Sequence, residues 1–296
     1  MTAAGTAPGR VAVVTDSTAH LTAQEVEGLG VVVVPLEVVI SGRTGLDGVQ
    51  VLADEVARAL SAWEPVTTSR PAPARFLAAY DRAQAQGAEA VLSVHLSGAL
   101  SGTVEAARLA AREARLPVTV LDSQQIGLAL GFAVLAAAGA AAAGAGLGQV
   151  TSLAQATLAG SSTDFYVDTL EHLRRGGRVG ATSAFVGGVL AVKPLLTIRE
   201  GRIEPLEKVR TAGRALARLA DIAAERAGDR PVRLGVQHLD AEDKAQQVAA
   251  LLAQRLPAAP PVLVRQMGAV IGAHVGPGVV AVVVAPHTPV PPAEGP

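Results

Sequence analysis

The sequence predicts an α/β protein, and three observations carry that reading. Short apolar runs alternate with stretches of helical composition down to residue 148. Several of those runs lead into clusters of hydroxyl side chains, as strands do at the carboxyl edge of an open sheet where ligands sit. Half of the chain is drawn from the AVILMFWYC set and only 2% is aromatic, so alanine and valine must fill an ample core.

Residues 1–9 read as a disordered lead. Residues 11–14 (VAVV) form a buried strand that ends in Thr15-Asp16-Ser17-Thr18. Thr22 and Glu25 have the spacing of a capping box and open a short helix. Residues 31–40 read as one strand in which Pro35 limits pairing, with a turn at Ser41-Gly42-Arg43. A helix over 53–61 follows. Residues 65–73 (PVTTSRPAP) read as a proline-stiffened turn carrying Thr67, Thr68 and Ser69, ahead of a helix with Phe76 and Tyr80.

The chain is organised around residues 95–103, HLSGALSGT. The run over 89–94 before it is strand-like, and the residues from Thr103 onward are helical in composition. Ser97, Ser101 and Thr103 supply hydroxyls at this turn, while Gly98 and Gly102 allow close backbone approach. The unpaired amides of a helix start complete a setting suited to an anion. A plain N-cap at Ser101 is the competing reading, though a cap needs fewer hydroxyls. A strand over 118–121 then ends in Asp122-Ser123.

Residues 126–148 hold no charge over 23 positions, a length that imitates a membrane span. Alanine and glycine dominate them, so a buried helix is the expectation, with no stable membrane insertion. Glycines 144, 146 and 148 follow no strand and make no dinucleotide fingerprint. Residues 148–163 mark a boundary zone, which divides the chain into 1–155 and 156–296.

In the second half, 165–167 reads as a strand and 170–175 as a helix stopped by Gly176-Gly177 before Arg178, a solvated arginine after a C-cap on the simplest view. Residues 192–198 and 203–209 predict a hairpin around Glu200-Gly201 that carries Lys193, Lys208 and Arg210. Helices over 212–227 and 241–256 flank a strand over 232–237, and a last strand covers 279–284. The glycines at 272, 276 and 278 put His274 in a tight loop with an exposed imidazole. Residues after Pro286 form a proline-rich tail.

Composition excludes several function classes. A formal charge of −1 without a basic run disfavours nucleic-acid binding. The lack of cysteine removes disulfides, thiolate chemistry and cysteine-bound metal, and the six histidines have no metal-ligand spacing. There is no nucleotide P-loop and no secretory signal at the start, which favours a cytoplasmic protein. Neither Ser97 nor Ser101 sits in a G-x-S-x-G elbow. This counts against a stand-alone serine hydrolase or acyltransferase using either serine with His274, which is kept as an alternative. A regulator that senses a small carboxylate is another.

Taken in order, VTDST at 14–18, TTSRP at 67–71, HLSGALSGT at 95–103, LDS at 121–123, DTLEHLRRGGRVG at 168–180, LAVKPLL at 190–196, EKVRT at 207–211 and IGAHVGPG at 271–278 resemble the DegV family of bacterial fatty-acid-binding proteins. The resemblance implies two α/β domains, the first with a mainly parallel sheet and the second smaller with a mixed sheet, and a fatty acid buried between them. It implies a binding subunit without catalysis of its own, needing neither cofactor nor metal. Such a subunit presents a long-chain fatty acid to an ATP-binding fatty acid kinase subunit for acyl-phosphate formation. By position, Thr68, Ser97 and the amide of Gly98 hold the carboxylate, Arg178 and His274 stand beside it, Ser101 and Ser123 belong to the pocket, and Arg210 faces the kinase. Gly98 stands where many relatives have a second serine, so that hydroxyl is missing here.

Overall fold

The computed structural model describes residues 10–179 and 193–287. The expected lead and tail, the first residue of the 192–198 strand, Gly180 and residues 190–192 of the quoted stretches lie outside the described residues.

Strands β1 (Val11–Asp16), β2 (Val32–Val34), β6 (Ala90–His95) and β7 (Val118–Asp122) build a four-stranded sheet in the order β2-β1-β6-β7, parallel throughout. Alternation of side chains gives the central strands β1 and β6 two buried faces, as a parallel sheet covered by helices requires, while the edge strand β7 is half-buried. Val14 and Val91 pack with Phe76, Tyr80 and Ala107 of helices α3 (Pro73–Ala85) and α4 (Thr103–Ala111). On the other face Val11, Val13, Leu92 and Val94 meet Leu130, Val134 and Ala137 of helix α5 (Leu128–Ala142).

The uncharged stretch is thus a core helix, continued after a turn by α6 (Leu147–Ala159). Among the described residues no helix is long and apolar enough to cross a membrane. A Cβ at Gly131 of α5 would collide with the Ala19 carbonyl, so a small residue lets the backbones touch there.

The 31–40 strand is corrected to two. Pro35 has no amide to donate and fixes its φ, so pairing breaks between β2 and β3 (Glu37–Ile40). Strand β3 joins a separate antiparallel sheet, β4-β3-β5, with β4 (Arg43–Leu46) and β5 (Val66–Ser69). The hydroxyl-rich turn at 67–69 is therefore a strand, in which Thr68 faces Val38 across the ladder. Its β-branched residues suit that pleated surface.

The second domain is a six-stranded mixed sheet, β10-β9-β8-β13-β11-β12, from β8 (Ser162–Tyr166), β9 (Lys193–Arg199), β10 (Arg202–Val209), β11 (Val232–His238), β12 (Leu263–Gln266) and β13 (Val280–Pro286). The hairpin β9-β10 turns at Glu200 and Gly201, both at positive φ, matching the right-handed twist of its strands. Helices α8 (Ala212–Ala227) and α9 (Glu242–Arg255) cover one face through Leu216, Leu219, Val248 and Leu252. The short β12 was not anticipated.

Helix α10 (Ala269–Val275) corrects the expected glycine loop. Its glycine stop comes only at Gly276, where φ is 77°. It packs on α2 (Ala53–Ser61), on β5 and on α7 (Glu171–Arg175), and so ties a late segment of the chain to the small antiparallel sheet.

Candidate functional site

An apolar cavity lies where the two domains meet, with an empty volume of about 820 Å³ including open solvent at its mouth. Leu36, Leu96, Leu100 and Ile126 line it from the first half, and Phe165, Leu173, Ile198, Met267, Val270 and Ile271 from the second. Two of its polar residues are already satisfied. Thr163 donates to Gln125 at 3.0 Å, and Gln237 accepts the Leu128 amide at 2.8 Å and contacts His20. The remaining polar lining is Thr68, Ser69, Arg70, Ser101, Arg178 and His274, with no carboxylate among the described residues.

Thr68 and His274 meet directly. Thr68 Oγ1 is 2.8 Å from His274 Nε2, while Nδ1 is buried without a hydrogen-bond partner against Gly176. Burial, and secondarily the charge of Arg178, lowers the His274 pKa to about 4, so the ring is neutral at pH 7. Its position is half-buried on a helix, correcting the exposed loop imidazole expected from the sequence. Arg178 follows α7 and reaches across the domains, donating from Nε to the Leu100 carbonyl at 3.2 Å and from Nη1 to the Gly176 carbonyl. Burial lowers its pKa too.

Of the other expected residues only Ser101 belongs to the lining, and Ser97, Gly98, Ser123 and Arg210 stand apart from it. Ser97 is fully buried, and its hydroxyl donates to the Gly201 carbonyl of the β9-β10 turn at 2.7 Å while accepting the Ala99 amide at 3.2 Å. The Gly98 amide donates to Asp122 at 3.1 Å, and a Cβ at Gly98 would come within 2.8 Å of the same carboxylate. Ser101 lines the cavity and shares a 2.8 Å hydrogen bond with Thr103. Ser123 is bonded to Gln125 and lines a separate polar cavity. Arg210 is exposed just beyond β10.

Arg70 is a lining residue that sequence reasoning passed over, although it stands inside the quoted TTSRP stretch. Its guanidinium lies over Gly102, where a Cβ would meet Nη1 at 2.5 Å. A Ser-His-Asp chain was also unforeseen. Ser93 is 2.7 Å from His95 Nε2, and His95 Nδ1 is 3.1 Å from Asp16. All three are sealed in the parallel sheet at 0% exposure, with Tyr80 on Ser93, so no substrate reaches them.

The comparisons with known proteins decide the family. The profile described as "Uncharacterised protein, DegV family" matches residues 10–287. The chain belongs to the DegV family. This DegV chain is 51% identical to a DegV domain-containing protein of Streptomyces coelicolor, over 93% of its own length and 98% of the relative's. It is 40% identical to one of Mycobacterium tuberculosis, over 93% and 96%. Among solved structures it is similar to a fatty-acid-binding DegV family protein of Thermus thermophilus (36% identity, TM-score 0.86, 94% of this chain and 99% of that one). It is similar also to DegV of Bacillus subtilis, described as a fatty acid binding protein (31%, TM-score 0.85, 94% and 99%). The two α/β domains seen here match those structures.

Proposed function

We propose that this DegV chain binds a long-chain fatty acid, with its tail in the interdomain cavity and its carboxylate at Thr68, and presents it to a separate ATP-dependent kinase subunit in the cytoplasm. The observation that carries this reading is the pairing of a long apolar lining with one cluster of neutral donor and cation, Thr68, His274 and Arg178. The fatty-acid binding of the Thermus and Bacillus relatives supports it.

The energetics divide the work between the two ends of the ligand. Burying about fifteen methylenes at ~0.8 kcal/mol each supplies roughly 12 kcal/mol before ordering costs. Each hydrogen bond to the carboxylate adds about 1.5 to 3 kcal/mol. The tail therefore gives affinity and the head gives class.

A proton on His274 Nε2 lets the ring donate to Thr68 Oγ1, which frees the Thr68 hydroxyl to donate to a carboxylate. Ser97 and the Gly98 amide join the head group by exchanging their bonds to Gly201 and Asp122 for the ligand. On the kinase a carboxylate oxygen then forms a bond to the terminal phosphorus of ATP, and ADP leaves with the electron pair of the broken P–O bond. Arg178 offsets the meeting of two anions. The hydrolase alternative lacks its geometry, because His274 is bonded to Thr68 and not to Ser97 or Ser101.

The test is calorimetric titration with palmitate, oleate and acetate. Tight binding of the two long acids and none of acetate is expected. Equal affinity for acetate and palmitate would instead favour the small-carboxylate regulator.

A further inference from the structure

Helix α10 runs along the apolar cavity, with Val270 and Ile271 in the lining and His274 in its last turn. Gly268, its N-cap, precedes His274 by six residues, about 9 Å of helix rise. The end of the cavity near Gly268 is therefore the end away from the Thr68–His274 pair.

At that end His20 of the first domain accepts the Gly268 amide at Nε2, 2.8 Å away, and its Nδ1 faces Nε2 of Gln237. Gln237 is 2% exposed and lines the cavity, and its Oε1 accepts the Leu128 amide at 2.8 Å. A Cβ at Gly127, which also lines the cavity, would collide with Oε1 and lie 3.6 Å from Nε2, so the carboxamide itself and not only its stem belongs to this wall.

Donors outnumber acceptors here. Burial, and secondarily the charge of Arg265, lowers the His20 pKa to about 4, so the ring is neutral with one N–H and one lone pair. The Gly268 amide is a fixed backbone donor and takes the lone pair at Nε2. The ring proton then sits on Nδ1 and faces the N–H2 of Gln237. Turning the carboxamide over only moves the conflict, because its N–H2 would then face the Leu128 amide, another donor. His20 is itself held, since its carbonyl accepts from Arg265 Nη1 at 2.7 Å. In either orientation Gln237 has a neighbour at each end of its carboxamide, and its N–H2 has no acceptor among the described residues.

We propose that the Gln237 carboxamide recognises an oxygen atom on the acyl chain, so that the cavity takes fatty acids carrying a keto or hydroxyl group remote from the carboxylate in preference to plain ones. The inference rests on the fatty-acid reading above and adds a class of ligand to it. With the carboxylate at Thr68, a chain lying along α10 past Val270 and Ile271 reaches Gln237. A methylene there leaves the buried N–H2 without an acceptor, a costly arrangement, whereas a chain oxygen supplies the missing lone pair. A ketone fits most directly, because it accepts and brings no further donor to a place that already holds too many.

The experiment titrates stearate and a series of oxostearates, with the ketone at successive positions along the chain, into the parent and into Gln237→Leu and Gln237→Glu, by calorimetry. The quantity read is the affinity of each oxostearate relative to stearate in the same protein, which a purely structural role of Gln237 would not move. In the parent one stretch of ketone positions should bind about tenfold more tightly than stearate, with positions near the carboxylate showing no gain. Gln237→Leu has no donor to offer and should lose that peak. Gln237→Glu can accept from both Leu128 and His20 but presents only acceptors to the ligand, so the same ketones should bind no better than stearate, or worse.

A flat profile in the parent, with stearate bound, would overturn the recognition of a chain oxygen and leave the fatty-acid reading standing, and this arm needs no variant to fold. A peak that persists in both variants would overturn the assignment to Gln237. A parent that binds neither stearate nor any oxostearate would overturn the fatty-acid reading itself.

Discussion

Thr68 on strand β5 and His274 on helix α10 are 206 positions apart in sequence and share a hydrogen bond of 2.8 Å. The contact couples the antiparallel sheet of the first domain to a helix of the second, at the polar edge of the cavity between them. On the proposed reading, head-group recognition and domain contact are carried by the same pair.

Replacing Thr68 by valine keeps the strand-forming shape and removes the hydroxyl. Palmitate affinity should fall by about 1 to 3 kcal/mol, with the fold retained because a β-branched residue still fits the β3-β5 ladder. Calorimetric titration beside a thermal melt checks both parts, and a variant that binds like the parent would place the carboxylate elsewhere.

Ser97→Ala should act on stability as well as on binding. The lost hydroxyl leaves the buried Gly201 carbonyl without that donor, at about 1 to 3 kcal/mol, so the melting temperature should drop by several degrees even without ligand. An unchanged melting temperature would show that the Ser97–Gly201 bond contributes nothing to domain contact.

The protein should be less stable at pH 5 than at pH 7. Burial lowers the pKa values of His20 and His274 to about 4, and lowers those of His172 and His238 as well. Below pH 6.5 the unfolded chain takes up protons that the folded one refuses, so stability falls as pH drops from about 6.5 to 4, by up to ~1.4 kcal/mol per pH unit for each of His20 and His274, and His172 and His238 act in the same direction. Asp47, raised by burial, has the opposite slope, one group against several. Urea midpoints across this range should fall with pH, and His20→Gln should flatten the dependence. A midpoint that rises on acidification would contradict the sign.

Arg178→Ala should leave fatty acid bound, since the tail supplies most of the affinity, yet strongly reduce kinase-coupled acyl-phosphate formation. Arg210→Ala, at an exposed site beyond β10, should instead raise the concentration of kinase subunit needed, with a marked salt dependence. Unchanged coupled turnover in both variants would show that neither arginine has these roles.

Much of the fold was legible because local signals agreed with tertiary structure. The apolar run into HLSGALSGT gave β6, the turn and α4. The Glu200-Gly201 pair gave the β9-β10 hairpin, and the alanine-rich stretch gave α5. Helix α10 was hidden by its glycines. Gly272 reads as loop chemistry, yet here it lets α10 sit close to Leu239, with a Cβ position only 2.9 Å from that side chain. Strand β5 was hidden by the prolines on either side of it, and only its partner β3 makes it a strand.

The site was legible in part. The resemblance named Thr68, Ser101, Arg178 and His274, which the fold brings to one cavity. It gave no sign that Ser97 turns to Gly201, a contact across 104 positions that only tertiary packing sets. Arg70 needed the glycine at 102 to be seen opposite it, a pairing that sequence spacing does not encode.

The central claim is that the cavity between the domains holds a fatty acid, and native mass spectrometry of the protein purified from a bacterial host tests it most directly. One added mass in the fatty-acid range is expected, released on denaturation and absent from an Ile271→Trp variant in which the indole fills the cavity. A parent protein that carries no added mass and takes up neither palmitate nor oleate would contradict the account.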